Sequence, residues 1–403
     1  MISVLIVGSS KQPIPAVNGG AVPALVEELI NQNEKNNKIN LSCISIYDIK
    51  AEKESKKYRR TKFIWAKVPA IVISADKLIA KAMQRGCRVH SFGFVFQIMW
   101  FTSFVSKVLK RNNYDAVIFE NSIPVLYSLK RYGNTKKYQG KWFLHMHTVP
   151  RGYYGLTNLL KSSKKIIVIS EYVKKEMLKQ LGLNETRFAV MYNCLPDYFF
   201  EKLSEKKIED VRRKYLNQFP NKKVILFAGR LNKEKGIEEV ISAVKGLKRK
   251  DWVLLIVGSN FYKTNIKSQY EQELRQKAKA IRDHIEFTGY IENKQMPFIY
   301  KLADVVVLPS MWDEPAGMTM IEALACERPL ITTYSGGIPE YVGQGGCALI
   351  KRDENIVLNI TMAIENAFDD PDQTRLIAIK GKENVSRYTE EHYYDLLMDI
   401  LEI

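Results

Sequence analysis

Four sets of side chains in this 403-residue chain have types and spacings suited to chemistry. Glu314 and Glu322 stand eight residues apart in LPSMWDEPAGMTMIEALACERP, Leu308 to Pro329. That segment reads as a buried strand, a short loop and a helix, so one carboxylate falls on the loop and the other in the helix behind it. Arg230 and Lys235 lie in AGRLNKEKGIEEV, on either side of a strand-to-helix turn where Gly229 frees the backbone. Held this way they form a clamp for a diphosphate, because each supplies charge-assisted donors to oxygens that gain charge when the bond beyond them breaks. Two residues on a solvated surface would show the same spacing in a chain with 61 Lys and Arg. In HMHT, His145 and His147 share a strand parity, and the later one falls past the sheet edge. A histidine there is commonly structural, and two histidines with no third ligand nearby in sequence make a poor metal site. In GSSKQPIPAVNGGA, Gly19 and Gly20 come just before the helical PALVEELI. Paired glycines at a helix start let the backbone approach a phosphate or sugar, and a helix N-terminus favours an anion, although a plain turn has the same look.

The elements that must position these groups alternate between short apolar runs and longer amphipathic ones, the pattern of a parallel sheet covered on both faces. In the first half the expected strands are Ser3 to Val7, Leu41 to Ile46, Ala116 to Phe119, Trp142 to Met146 and Lys165 to Ile169. The pattern then restarts with Lys222 to Leu231, Trp252 to Asn260, Ile285 to Tyr290, Asp304 to Ser310 and Pro329 to Ser335. The charged stretch from Glu201 to Lys223 separates the two sets, so two doubly wound α/β domains with a cleft between them are expected. Ligands in such sheets bind beyond the carboxyl ends of the strands, where all four sets of residues lie.

Composition excludes several classes. With 46% hydrophobic and 26% charged residues the chain reads as an ordinary soluble globular protein of two domains, without repeats or disordered tracts. MISVLIVGSS reads as a first strand and not as a signal peptide. The longest uncharged run, Ser91 to Ser106, has 16 residues and falls short of the roughly 20 that a spanning helix needs. Five widely spaced cysteines, Cys43, Cys87, Cys194, Cys326 and Cys347, with no CxxC pair, read as reduced and mostly buried thiols of a cytoplasmic protein. The formal charge of +17 fits nucleic acid, an anionic membrane face or anionic small substrates. No nucleic-acid recognition signature accompanies it. Eight Lys and Arg against two Glu between Lys50 and Lys67, ending in Phe63, Ile64 and Trp65, precede the aromatic run Phe92 to Phe104. Such a segment suits a helix or loop lying on an anionic bilayer, and equally a solvated basic loop followed by core helices.

AGRLNKEKG, ADVVVLPSMWDEPAGMTMIEALAC and SGGIPEYV, in this order and with these intervals, resemble the large retaining glycosyltransferase family 4. The likeness is strong over Val224 to Val342 and weaker but in register elsewhere, through VISEYVKKEM, VMYNCLPDYFF and the final YTEEHYYDLLMDILE. It implies the GT-B fold, two Rossmann-like doubly wound parallel-sheet domains facing a cleft. Residues 1–200 would form the acceptor side, completed by the C-terminal helix 386–403, and residues 201–385 the nucleotide-sugar donor side.

By this resemblance Glu322 hydrogen-bonds the ribose hydroxyls of the donor and Glu314 contacts the transferred sugar. Pro315 and Gly317 shape the turn, and the amides around Gly317, Met318 and Thr319 face the diphosphate. Arg230 and Lys235 complete the cradle and supply the charge that a divalent metal supplies in other transferases, so neither metal nor other cofactor is expected. His147 matches the family's cleft histidine, with His145 as the alternative. The implied catalytic set is Glu314, His147, Arg230 and Lys235, and Gly19, Gly20 and Tyr290 join the donor-binding residues. Two departures stand out: Cys194 follows Asn193 where the family often has Asn-Gly, and Glu327 occupies a position where glycine is usual. The expected activity is transfer of a hexose from a nucleoside-diphosphate sugar to a hydroxyl of a lipid-linked glycan in bacterial surface polysaccharide assembly. The partners would be that donor, the glycan acceptor and the anionic inner face of the membrane, with no nucleic acid. A nucleotide-sugar epimerase or a non-catalytic binding subunit on the same fold are the competing expectations.

Overall fold

A computed structural model describes residues 1–84, 94–259 and 269–403. Cys87, Phe92, Asn260 and the first residues of the run that starts at Ser91 lie outside the described residues. The chain forms two compact units, Met1–Cys194 with Glu390–Ile403, and Leu195–Thr389.

The first unit is built on seven parallel strands: β1 Ser3–Val7, β2 Asn40–Ile46, β3 Lys62–Ala66, β4 Ala116–Glu120, β5 Trp142–Met146, β6 Lys165–Val168 and β7 Phe188–Val190. Their order is β3-β2-β1-β4-β5-β6-β7, so the winding reverses between β1 and β4. Val4, Ile6 and Ile118 bury one face of the sheet against Leu25, Leu29 and Ile30 of the helix Ala21–Asn36. The helix Glu390–Leu401 completes that core with Tyr394, Leu397 and Leu401. Its register is fixed by Tyr394, whose hydroxyl donates to Asn33 Oδ1 at 2.7 Å, and by the Lys38–Asp395 ion pair at 2.8 Å.

The second unit has six parallel strands, β8 Lys223–Ala228, β9 Trp252–Val257, β10 Ile285–Gly289, β11 Val305–Leu308, β12 Leu330–Thr333 and β13 Ala348–Ile350. Their order is β10-β9-β8-β11-β12-β13, and the winding reverses between β8 and β11. β8, β9 and β11 read as unbroken apolar runs because helices cover both faces of a parallel sheet.

Three strand readings need correction. Phe63, Ile64 and Trp65 do not lie in a membrane-facing helix or loop: they belong to the edge strand β3, where Phe63 and Trp65 stack at 5.5 Å. β7 and β13, three residues each, are too short to show an alternation. The charged stretch after Glu201 is not a bare separator either. Residues Glu205–Leu216 form a helix of the second unit that packs on the helix Met296–Leu302, with Leu216 and Phe219 buried at its end. The run that begins at Ser91 enters the helix Val95–Arg111, which buries Phe101, Val105 and Leu109 and exposes Phe96 and Met99. Among the described residues no helix is long and apolar enough to cross a membrane. Cys43, Cys194 and Cys326 are buried, Cys347 is half-buried, and none of the four forms a disulfide.

Candidate functional site

The site grows from the point where the second sheet reverses. The loop after β8 carries Arg230 out of the strand and folds Lys233–Lys235 into a single helical turn that ends at Gly236. Gly236 has φ +72°, and a Cβ there would stand 2.0 Å from the Pro309 carbonyl oxygen. Only glycine lets this loop lie against the end of β11. The loops are further joined by the Met311 amide, which donates to the Glu234 carbonyl at 2.8 Å. This contact sets Lys235 against Glu314, and their ammonium and carboxylate form an ion pair that is largely buried. The Ser310 hydroxyl donates to the same carboxylate oxygen at 3.0 Å. Behind Glu314, the Gly337 amide donates to its carbonyl at 2.7 Å. Gly336, at φ +55°, passes so close that a Cβ would lie 2.3 Å from that oxygen. The Arg230 side chain is exposed and makes no hydrogen bond or ion pair among the described residues.

Pro315 and Gly317 lead into the helix Met318–Ala325, whose N-cap Gly317 supplies no side-chain acceptor to its first-turn amides. No acidic residue sits in that turn either, which leaves the positive end of the helix for an external anion. Met318 and Thr319 are half-buried there. Glu322 follows one turn later and is only 8% exposed. Its Oε2 accepts from the Tyr300 hydroxyl at 2.8 Å, and Asn293 Nδ2 lies 3.5 Å from its Oε1. Burial pushes the Glu322 carboxyl up to about 7 even though both hydrogen bonds act to lower it. Tyr290, just past β10, stands on the same carboxyl edge of the sheet. Of the residues read from the sequence, the structure therefore joins Lys235 to Glu314 directly. It places Arg230, Tyr290 and the helix start on the same edge.

In the first unit, Gly19 and Gly20 have φ +73° and +110° and precede the helix Ala21–Asn36, which again lacks a side-chain cap. The two histidines do have a third group beside them. Glu120, from the end of β4, lies 3.2 Å from His145 Nδ1 and 3.0 Å from His147 Nε2. Sequence distance hid this group, because β4 and β5 are neighbours in the sheet but 25 residues apart for the Glu120–His145 pair. Burial alone would raise the Glu120 carboxyl, but the two imidazoles, His145 above all, hold it at about 2. Burial and then the charge of His145 push His147 down to about 4, against the pull of Glu120. The three donor atoms are close enough to surround a cation. The fit is poor on other grounds: each imidazole spends a ring nitrogen on Glu120, and His145 Nε2 and His147 Nδ1 are buried with no partner. A ligating histidine needs an acceptor at its second nitrogen. As it stands His147 presents neither ring nitrogen to a ligand.

Sequence reasoning missed Glu120, Tyr300, Asn293 and Ser310. The one available signal was in AVIFE, where a carboxylate ends an otherwise apolar strand.

The fold and the site define a two-unit α/β protein of the GT-B type. It superposes along its whole length on a glycosyltransferase from Rickettsia africae, at a TM-score of 0.74 and 17% identity, covering 98% of that chain. It also superposes on Anabaena Alr3699/HepE, solved with UDP and glucose, at a TM-score of 0.71 and 17% identity over 100% of both chains. Residues 209–384, most of the second unit, match the family model of glycosyl transferases group 1. Among sequence relatives, the lipopolysaccharide 1,2-N-acetylglucosaminetransferase of Salmonella typhimurium is 28% identical over 232 residues, 56% of this chain and 58% of that one. The chain spans about half the length of the curated relatives it matches.

Proposed function

We propose that the chain is a glycosyltransferase that moves a hexose from a nucleoside-diphosphate sugar to a hydroxyl of a glycan, with retention at the anomeric carbon. The observation that carries this reading is the cradle of Arg230, Lys235 and an uncapped helix start at the reversal point of a group 1 domain. Departure of the diphosphate leaves an oxocarbenium-like sugar. Arg230, Lys235 and the first-turn amides stabilise the leaving charge as it develops, and Glu314 faces the sugar. The cations take the part of a divalent metal, so the reaction needs none. Glu322 receives the ribose hydroxyls. His147 is assigned to the sugar through the family resemblance, a contact that requires its ring to turn away from Glu120.

The acceptor is proposed to be a lipid-linked glycan, which fits a relative named for lipopolysaccharide synthesis. The helix Ala70–Gln84 supports a peripheral contact with an anionic membrane, since Ile71 and Leu78 are exposed on it beside Lys77 and Lys81.

Thermal unfolding against UDP-, GDP- and dTDP-sugars, with and without EDTA, tests the reading. A rise in melting temperature with one donor series, lost in Glu322→Ala and Arg230→Ala and indifferent to EDTA, is expected. No rise with any of them in well-folded protein would overturn it.

A further inference from the structure

The hydroxyl that meets Glu322 comes from a residue with no exposed surface. Tyr300 is 0% exposed on the helix Met296–Leu302, and burial raises its phenol well above the ordinary range, so it remains a donor. Its single proton has two acceptors in reach, Glu322 Oε2 at 2.8 Å and the Thr319 carbonyl at 3.3 Å. The carboxylate is nearer and charged, and takes it. On the other side Asn293 approaches Oε1, while the Asn293 carbonyl accepts from the Tyr198 hydroxyl, which fixes the amide with its NH2 toward Glu322. A carboxylate offers about four lone-pair positions. Two are used by these donors, and Glu322 has no further partner among the described residues. The remaining pair suits two adjacent hydroxyls.

We propose that Tyr300 and Asn293 are positioning residues that hold the Glu322 carboxylate for the vicinal diol of a ribonucleotide, and so make the site select a ribonucleoside diphosphate over its 2′-deoxy counterpart. This rests on the proposed function and deepens it. The diol binds the ionised carboxylate, with both hydroxyls donating. Glu322 loses its charge as the pH falls through about 7, so donor affinity falls with it. Tyr300 counteracts the loss: its hydrogen bond favours the charged form, and its removal moves the loss to higher pH.

Calorimetric titration of UDP, GDP and their 2′-deoxy analogues between pH 5.5 and 8.5 tests this with wild type, Tyr300→Phe and Asn293→Ala. For the ribonucleotide that binds, Tyr300→Phe shifts the weakening upward by about one pH unit and lowers affinity at pH 7 by about fivefold. Affinity for the 2′-deoxy analogue is weaker in wild type and nearly indifferent to the substitution. Asn293→Ala, at an exposed position, gives a smaller shift in the same direction and serves where Tyr300→Phe unfolds. Wild type that binds a ribonucleotide while both variants keep its affinity and pH profile overturns this inference alone. Wild type that binds none of the four nucleotides overturns it, and the proposed function falls with it only where the dTDP-sugars also leave the melting temperature unchanged.

Discussion

Replacing Lys235 tests whether the contact between the loops after β8 and β11 is as tightly coupled as its geometry implies. The Lys235 side chain is 19% exposed and that of Glu314 6%, so the pair is closer to an interior ion pair than to a surface one. Removing one member of a buried pair costs roughly 3–5 kcal/mol, because the other charge is left behind. Ser310 still donates to Glu314, and the amine retains some access to water, which places Lys235→Met near the lower bound, at about 3 kcal/mol. Glu314→Gln leaves an ammonium that can swing outward, at a cost of about 1–2 kcal/mol. The double variant has no stranded charge and should cost about 2 kcal/mol, so the cycle closes with a coupling of about 2–3 kcal/mol. Hydrogen exchange of the β8 and β9 amides reads this directly. Those strands lie at the centre of the second sheet, are almost wholly buried, and open only when that unit unfolds. A coupling below about 0.5 kcal/mol would refute the reasoning, since that is the value of an exposed pair.

Three other outcomes are expected. Gly236→Ala should destabilise the second unit by about 2–4 kcal/mol in the same exchange measurement, from left-handed strain together with the clash on Pro309; a loss under 1 kcal/mol would mean that the loop does not depend on this contact. Glu327→Gly should be neutral or stabilising by about 0.5 kcal/mol in urea unfolding, because relief of φ +54° outweighs the partly exposed Lys382 ion pair; a clear loss would show that the ion pair dominates. Stability of the first unit should fall on acidification, first between pH 6.5 and about 4 as the unfolded chain protonates His147, then toward about 2 as it protonates Glu120. Both groups have folded values below their unfolded ones, so in this window the unfolded state binds more protons and stability rises with pH. Exchange of the β4 and β5 amides in His147→Gln should lose the upper part of this dependence, and an unchanged profile would contradict it.

The sequence carried the parallel strands and the edge on which they end, because buried parallel strands are unbroken apolar runs and their loops begin with glycine or charge. Arg230, Lys235 and Glu314 were found in that way. What escaped was whatever depends on lateral neighbours. Tyr300 reaches Glu322 from another helix, and Glu120 reaches His145 from another strand, so neither contact has a fixed spacing. β3 was misread because its flanking Lys and Arg outweighed KFIWA as a strand signal. At Glu327 the family comparison marked a departure from glycine without a reason, and the left-handed backbone supplies one.

The return of residues Glu390–Ile403 to the first unit has a consequence for the order in which a ribosome could build this molecule. Residues 195–389 leave the exit tunnel as a continuous stretch able to fold at once, whereas the first unit, though made earlier, lacks Tyr394, Leu397 and Leu401 until residues 390–403 have followed. Until then an apolar face beside Leu29 and Ile30 waits uncovered on the nascent chain. Of the two units, the one made first is thus the last to reach its native state, and a premature stop just before Glu390 would damage the unit farthest from it in sequence.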